Sequence, residues 1–185
     1  MRCHHRSGLT LDCMSRFEDA ERLNGLAAAV GNAIWRLQEV EGIAVTTLVL
    51  LSEAEQGMGK EAGEELMKNA RRKTFGQIVK RLEKRRILPD DLQAALSTVV
   101  ADRNWLVHRS LDSSRSAIRH DPDCAALHLR LGEIQQLATA IIHALGAVVI
   151  EKMKEAGISE GAIEAETQRT LTGWHSSKRS PTSGS

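Results

Sequence analysis

The sequence predicts an all-α protein, an up-and-down bundle of four main helices followed by a short C-terminal helix. Three observations carry this expectation. Apolar residues recur in steps of three and four over long segments, which places them on one face of a helix. Alanine and leucine are abundant, aromatics make up only 3% of the chain and tyrosine is absent, a composition that favours helices over sandwiches or barrels. No segment sustains the apolar–polar alternation of a half-buried strand.

The 185 residues suit one domain with a real core, and 42% hydrophobic with 26% charged residues is a globular composition. The formal net charge of +1 selects no partner by bulk electrostatics. Cys3, Cys13 and Cys124 are odd in number and scattered, so they form no disulfide framework. Residues 1–16 lack the apolar core of a signal peptide, and the longest apolar run, 43–51, is too short to span a bilayer. A cytoplasmic location away from membranes is therefore expected.

Residues 1–13 read as an unpatterned extension, and Met14 opens the patterned part as a candidate start. Cys3, His4, His5 and Cys13 match no zinc spacing, and no cofactor or metal is expected. Over residues 17–51, Leu23, Leu26, Val30, Ile34, Leu37, Ala44, Leu48 and Leu51 form a helical stripe broken once, at Glu41. Glu41 then either lies at the edge of the stripe or is a buried carboxylate needing a cation. Gly57 and Gly59 end this region, and Gly-Met-Gly-Lys at 57–60 lacks the upstream glycine and strand of a phosphate loop.

A second helix is expected over 60–72. Thr74 and Gln77 have capping-box spacing ahead of Phe75, Ile78, Val79 and Leu82. Pro89 suits the first turn of a long helix over 89–111 with Leu92, Leu96, Val99 and Leu106 inward. Asp121 as cap and Pro122 at the first helical position start another, whose stripe Leu127, Leu131, Ile134, Ile141, Leu145 and Val148 leads to Gly157. A shorter helix over 159–171 packs outside, and the helical domain spans 14–172, with a flexible tail at 173–185.

Charge is distributed unevenly. Residues 68–86 hold nine bases, among them Lys80, Arg81, Lys84 and Arg85, against the one acid Glu83. Such a block is either a solvated face or an attractor of a polyanion such as RNA.

The most informative stretch is Arg103-Asn104-Trp105-Leu106-Val107-His108. Arg103 stands where the apolar stripe calls for a core residue, and His108 follows five residues later. Asn104 and His108 share a face, whereas Arg103 and His108 diverge in a straight helix. They converge only if the helix ends near His108 or a second subunit supplies its own copy. Histidine can move protons at a ribose 2′-oxygen or a leaving oxygen, and an arginine fork suits a phosphorane whose negative charge is growing. Asn104 would position a phosphate or fix the tautomer of His108. The plainer alternative has Arg103 paired with an acid such as Glu41 and His108 capping the helix end.

Arg103, Asn104 and His108 resemble the Arg-x(4–6)-His motif of the HEPN superfamily, which often has a polar residue after the arginine. The order of the helices agrees: residues 73–82, then a linker, then 91–108 as motif helix, preceded by a long helix with Trp35, Arg36, Leu37, Gln38 and Glu41. The likeness covers residues 14–153. It implies a HEPN-like bundle, usually a homodimer, with the two motifs in one cleft. Many members are metal-independent ribonucleases of toxin–antitoxin and other defence systems, while others are catalytically silent. By position, Arg103 and His108 are then catalytic and Asn104 supporting, with RNA as substrate and a cognate antitoxin as protein partner. Glu41, Arg109, Lys80, Arg81, Lys84 and Arg85 are added as supporting or RNA-binding residues from this sequence alone. Some toxins of the family carry a tyrosine two residues after the motif histidine as an adenylylation target. That position is Ser110 here, which puts such control in doubt. The alternative is a catalytically silent helical module that binds a partner protein or RNA.

Overall fold

The computed structural model describes the backbone of residues 7–55 and 57–177, and the side chains of 16–55, 57–169 and 172. Those residues form six helices and no strand: α1 (Ser7–Ser52), α2 (Lys60–Arg71), α3 (Phe75–Arg85), α4 (Asp90–Ala117), α5 (Asp121–Glu155) and α6 (Glu160–Ser177). The fold is an all-α helical bundle. Cys3, His4, His5 and the side chain of Cys13 lie outside the described residues, as do residues 178–185.

The core lies between α1, α4 and α5, with α3 closing it against α1 and α4 and α2 resting on α1. α1 and α5 run parallel. Gly25 lies against His128, Gln135 Nε2 reaches the Ala29 carbonyl at 3.5 Å, and Gly146 lies against Ile43. α4 runs the other way, since Arg22 of α1 donates to the Ile118 carbonyl at 3.2 Å while Glu41 stands beside Arg103.

The buried stripe of α1 is Leu26, Ala33, Leu37, Val40, Ala44 and Leu48. It is rotated from the expected one. Leu23 is exposed, Val30, Ile34 and Leu51 are half-buried, and the small residues Ala33 and Val40 take the inward positions. Close approach of α5 explains this, because short side chains let two long helices meet. Val40, next to Glu41, fills the core, so Glu41 stands at the edge of the stripe. Thr47 is fully buried, and its hydroxyl satisfies itself by donating to the Ile43 carbonyl at 2.8 Å. Helix α1 extends N-terminally to Ser7, into the segment that shows no apolar pattern.

The capping box of α3 forms as the spacing predicts. Gln77 N–H donates to Thr74 Oγ1 at 3.4 Å and Thr74 N–H to Gln77 Oε1 at 3.0 Å. Phe75, Ile78, Val79 and Leu82 are all buried. α3 packs antiparallel to the first half of α4, with Gly76 against Val100 and Gln93 Nε2 donating to the Val79 carbonyl at 3.2 Å.

Two helix starts differ from the expected positions. Pro89 is the N-cap of α4, outside its first turn, and His120 is the N-cap of α5, with Asp121 and Pro122 already helical. Asp121 is taken instead by Arg22, whose Nη2 lies 2.6 Å from Oδ1. α4 also runs past 111 to Ala117. Ser110 and Ser114 are buried there, and each returns its hydroxyl to the carbonyl four residues back. α5 closes with Gly157 at φ 83, Ile158 N–H bonding Met153 O at 3.0 Å and Gly157 N–H bonding Lys154 O at 2.9 Å, a Schellman turn.

α5 holds an 18-residue window of mean hydropathy 1.5, apolar enough by length and composition to cross a bilayer. Only 22% of that window is buried within the bundle, and Leu127, Leu131, Ile134, Ala138, Ile141 and Leu145 form the buried face of α5. α6 lacks any comparable packing against the other described helices.

Candidate functional site

The motif lies in the second half of α4, anchored by the fully inward Leu106. Because α4 continues to Ala117, His108 sits in mid-helix and caps no C-terminus. At 100° per residue, Arg103 and His108 leave the axis roughly 140° apart, so one copy of α4 does not bring them together.

Arg103 stands on the flank facing α1. Its Nε is 3.9 Å from Glu41 Oε2, and the two side chains are 43% and 31% exposed. This is a loose, half-solvated pair, so Glu41 is not a buried carboxylate that demands a cation. The exposed side of α4 carries Asn104, Val107, His108 and Leu111, at i, i+3, i+4 and i+7, which makes them one continuous stripe. Val107 is 54% exposed and Leu111 63%, unusual for large aliphatics in a helix that otherwise buries its leucines. Asn104 and His108 share that face but no hydrogen bond joins their side chains. Arg109 is exposed on the flank towards α5.

That flank holds an arrangement the sequence did not announce. Trp105 is half-buried beneath Arg130 of α5, whose Cζ lies 3.5 Å from the ring centroid. Arg130 Nη2 is also 4.0 Å from Asp102 Oδ1. Burial raises the Asp102 pKa above the ordinary aspartate value; Arg130 opposes that rise and Glu133 adds to it. Trp105 precedes His108 by three residues and Arg109 by four, so the three are neighbours on the helix surface. The cations nearest His108 along this surface are thus Arg109 and Arg130, while Arg103 lies across the exposed stripe. A tryptophan in so aromatic-poor a chain was the one available signal. Its partner is 25 positions away in sequence on another helix, beyond the reach of any local pattern.

The basic block is separate from the motif. Lys80, Arg81, Lys84 and Arg85 are exposed on α3, and Arg81 Nη1 pairs with Glu53 Oε1 at 3.0 Å. The Gln93–Val79 bond sets Lys80 beside the start of α4. From Gln93 to His108 is about 22 Å along the axis at 1.5 Å per residue. As α3 runs antiparallel, Lys84 and Arg85 lie farther still.

Two sizeable clefts open elsewhere. One of about 790 Å³ lies between the end of α1 and α2, lined by Leu50, Met67, Lys68 and Arg71. The other, about 750 Å³, lies at the α3–α4 elbow, lined by Arg86, Pro89, Asp90 and Gln93. Neither includes a motif residue, and Asn104, Val107 and His108 are exposed on the helix surface, a setting suited to an extended partner more than to an enclosed small molecule. Among the described residues, no three His, Cys, Asp or Glu side chains cluster as a metal site would require. Comparison of the chain with family models, with curated proteins and with solved structures finds no match.

Proposed function

We propose that the protein is a metal-independent endoribonuclease of HEPN type, a four-main-helix bundle acting as a homodimer in the cytoplasm. Its biological role in this reading is that of a toxin or defence effector held in check by a cognate antitoxin protein. The observation that carries the reading is the exposed stripe on α4, where Val107 and Leu111 lie open beside Asn104 and His108. Exposed aliphatics invite burial, and a second copy of the same stripe is self-complementary in the way a two-fold interface requires. Arg103 flanks the stripe on one side and His108 forms its opposite edge. With the two α4 helices side by side in the parallel sense, a two-fold axis along them sets the Arg103 edge of one copy against the His108 edge of the other. The site is then shared between subunits, which resolves the divergence inside one helix.

In such a cleft His108 accepts the proton of a ribose 2′-hydroxyl as its oxygen attacks phosphorus, and a protonated imidazole returns a proton to the departing 5′-oxygen. The guanidinium of Arg103 donates to the phosphorane oxygens, and Asn104 positions the phosphate. The P–O5′ bond breaks, leaving a 2′,3′-cyclic phosphate and a 5′-hydroxyl. Incubating RNA with the purified protein in EDTA tests this. Products ending in cyclic phosphate are expected, and intact RNA at high enzyme concentration would contradict the reading.

The separation of the basic block from the motif favours a second reading, a catalytically silent module that binds RNA through α3. It predicts salt-sensitive RNA binding that survives His108→Ala and disappears when Lys80, Arg81, Lys84 and Arg85 are changed together to Gln.

A further inference from the structure

The guanidinium carbon of Arg130 sits over the Trp105 indole, Cζ 3.5 Å from its centroid, a van der Waals separation that suits stacking, and the Arg130 side chain remains 45% exposed. The ring covers the side of the guanidinium that faces it, and nearly half of the side chain is left to solvent. Asp102 Oδ1, 4.0 Å from Nη2, engages one edge of the same group. The ring beneath and the carboxylate beside it narrow the orientations open to Arg130, so a ligand meeting its exposed side has less to order. A solvated guanidinium that bound phosphate alone would present its fork of N–H donors. Here Asp102 lies 4.0 Å from one end of the fork, and the ring-backed plane is offered as well. The chemical partner of a delocalised cationic plane is another flat π-system, and nucleobases stack on arginine planes as they do on aromatic rings.

We propose that Arg130, seated on Trp105, is a stacking ledge for one unpaired nucleobase of the RNA strand whose phosphate reaches His108. The proposal rests on the RNA reading above and narrows it to single-stranded substrate. Trp105 and His108 are one helical turn apart, about 5–6 Å between Cβ atoms, which is within the span of a single nucleotide. A base inside a duplex has both faces covered by its neighbours, so the ledge admits only an unpaired one.

The test is equilibrium binding of 2′-O-methyl oligoadenylate, eight nucleotides long, which cannot be cleaved. It is offered as a single strand, as a duplex with its complement, and as an abasic strand of equal charge. Arg130→Lys keeps the charge and removes the plane. It should weaken single-strand binding about tenfold, the order expected for one stacked base, and leave duplex binding unchanged. Wild-type protein should bind the abasic strand about tenfold more weakly than the adenine strand, a result that does not depend on how any variant folds. Equal binding of abasic and adenine strands by the wild type overturns the ledge, as does an Arg130→Lys effect that is absent or equal on single strand and duplex. Ledge binding without any cleavage of natural RNA removes the nuclease reading alone. Cleavage that persists without base-dependent binding removes the ledge alone, and no binding of any oligomer removes both.

Discussion

Arg103 and His108 mark opposite edges of the exposed face of α4, one beside Glu41 of α1 and the other facing solvent three residues beyond Trp105. The motif is therefore not a site within one chain. Either its ends serve unrelated purposes or they are reunited by a second copy, and the open Val107 and Leu111 between them favour the second.

If Arg103 were held chiefly by Glu41, the pair would be worth measurable stability. Both side chains are about a third exposed or more, and the contact is 3.9 Å. A double-mutant cycle of Glu41→Gln and Arg103→Gln, followed by urea denaturation, should give a coupling of about 0–1 kcal/mol, the range of solvated ion pairs. A coupling well above that range would assign Arg103 to structure.

Asp102 gives the bundle a pH dependence of known sign. Its folded pKa is raised, mainly by burial, so the ionised form costs stability wherever it is present. That cost is complete above the folded pKa and is relieved as pH falls towards the ordinary aspartate value. Asp102→Asn should accordingly raise Tm at neutral pH, and the gain should shrink on acidification and vanish below the aspartate range. Thermal melts of both proteins across pH check this. A gain independent of pH would point to a cause other than ionisation.

The capping box of α3 should matter out of proportion to its size, because α3 closes the core against both α1 and α4. Thr74→Ala removes the hydroxyl that receives the Gln77 N–H. The expected loss is about 1 kcal/mol, read as a fall in urea midpoint at unchanged slope.

Much of this fold is legible in the sequence because long helices repeat their pattern many times. The capping box, the buried faces of α3 and α4, and the Gly157 stop follow from local chemistry. What escaped was set by distant residues. The rotated stripe of α1 depends on how closely α5 approaches, and alanine carries too little apolar weight to announce an inward position. Asp121 stands before Pro122 as a cap would, yet Arg22, far back in α1, claims its carboxylate. Ser110 and Ser114 look like the end of a helix until their hydroxyls are seen to bond within it. At the site, five-residue spacing already told that Arg103 and His108 diverge. The Trp105–Arg130 stack was invisible, since nothing local marks which arginine of α5 will lie over the ring.

The distance between the basic block and the motif makes a quantitative claim about salt. If Lys80, Arg81, Lys84 and Arg85 contact a single strand, each neutralised phosphate contributes about 0.7 to the slope of log affinity against log salt. Changing all four to Gln should lower that slope by up to about 3, measured by fluorescence anisotropy at several salt concentrations. An unchanged slope would return the block to a solvated face.

The most direct test of the shared site is complementation in EDTA. Arg103→Ala and His108→Ala proteins are assayed on RNA separately, then after being unfolded and refolded together. Each alone should be about 10²–10⁴-fold less active than wild type, the range for loss of a positioned acid–base group. The mixture should recover a substantial fraction of wild-type activity, because each mixed dimer holds one site with an intact Arg103 opposite an intact His108 and one site lacking both. Inactive single variants whose mixture stays inactive would contradict a site shared between subunits, and full activity in either variant alone would contradict the motif's catalytic role.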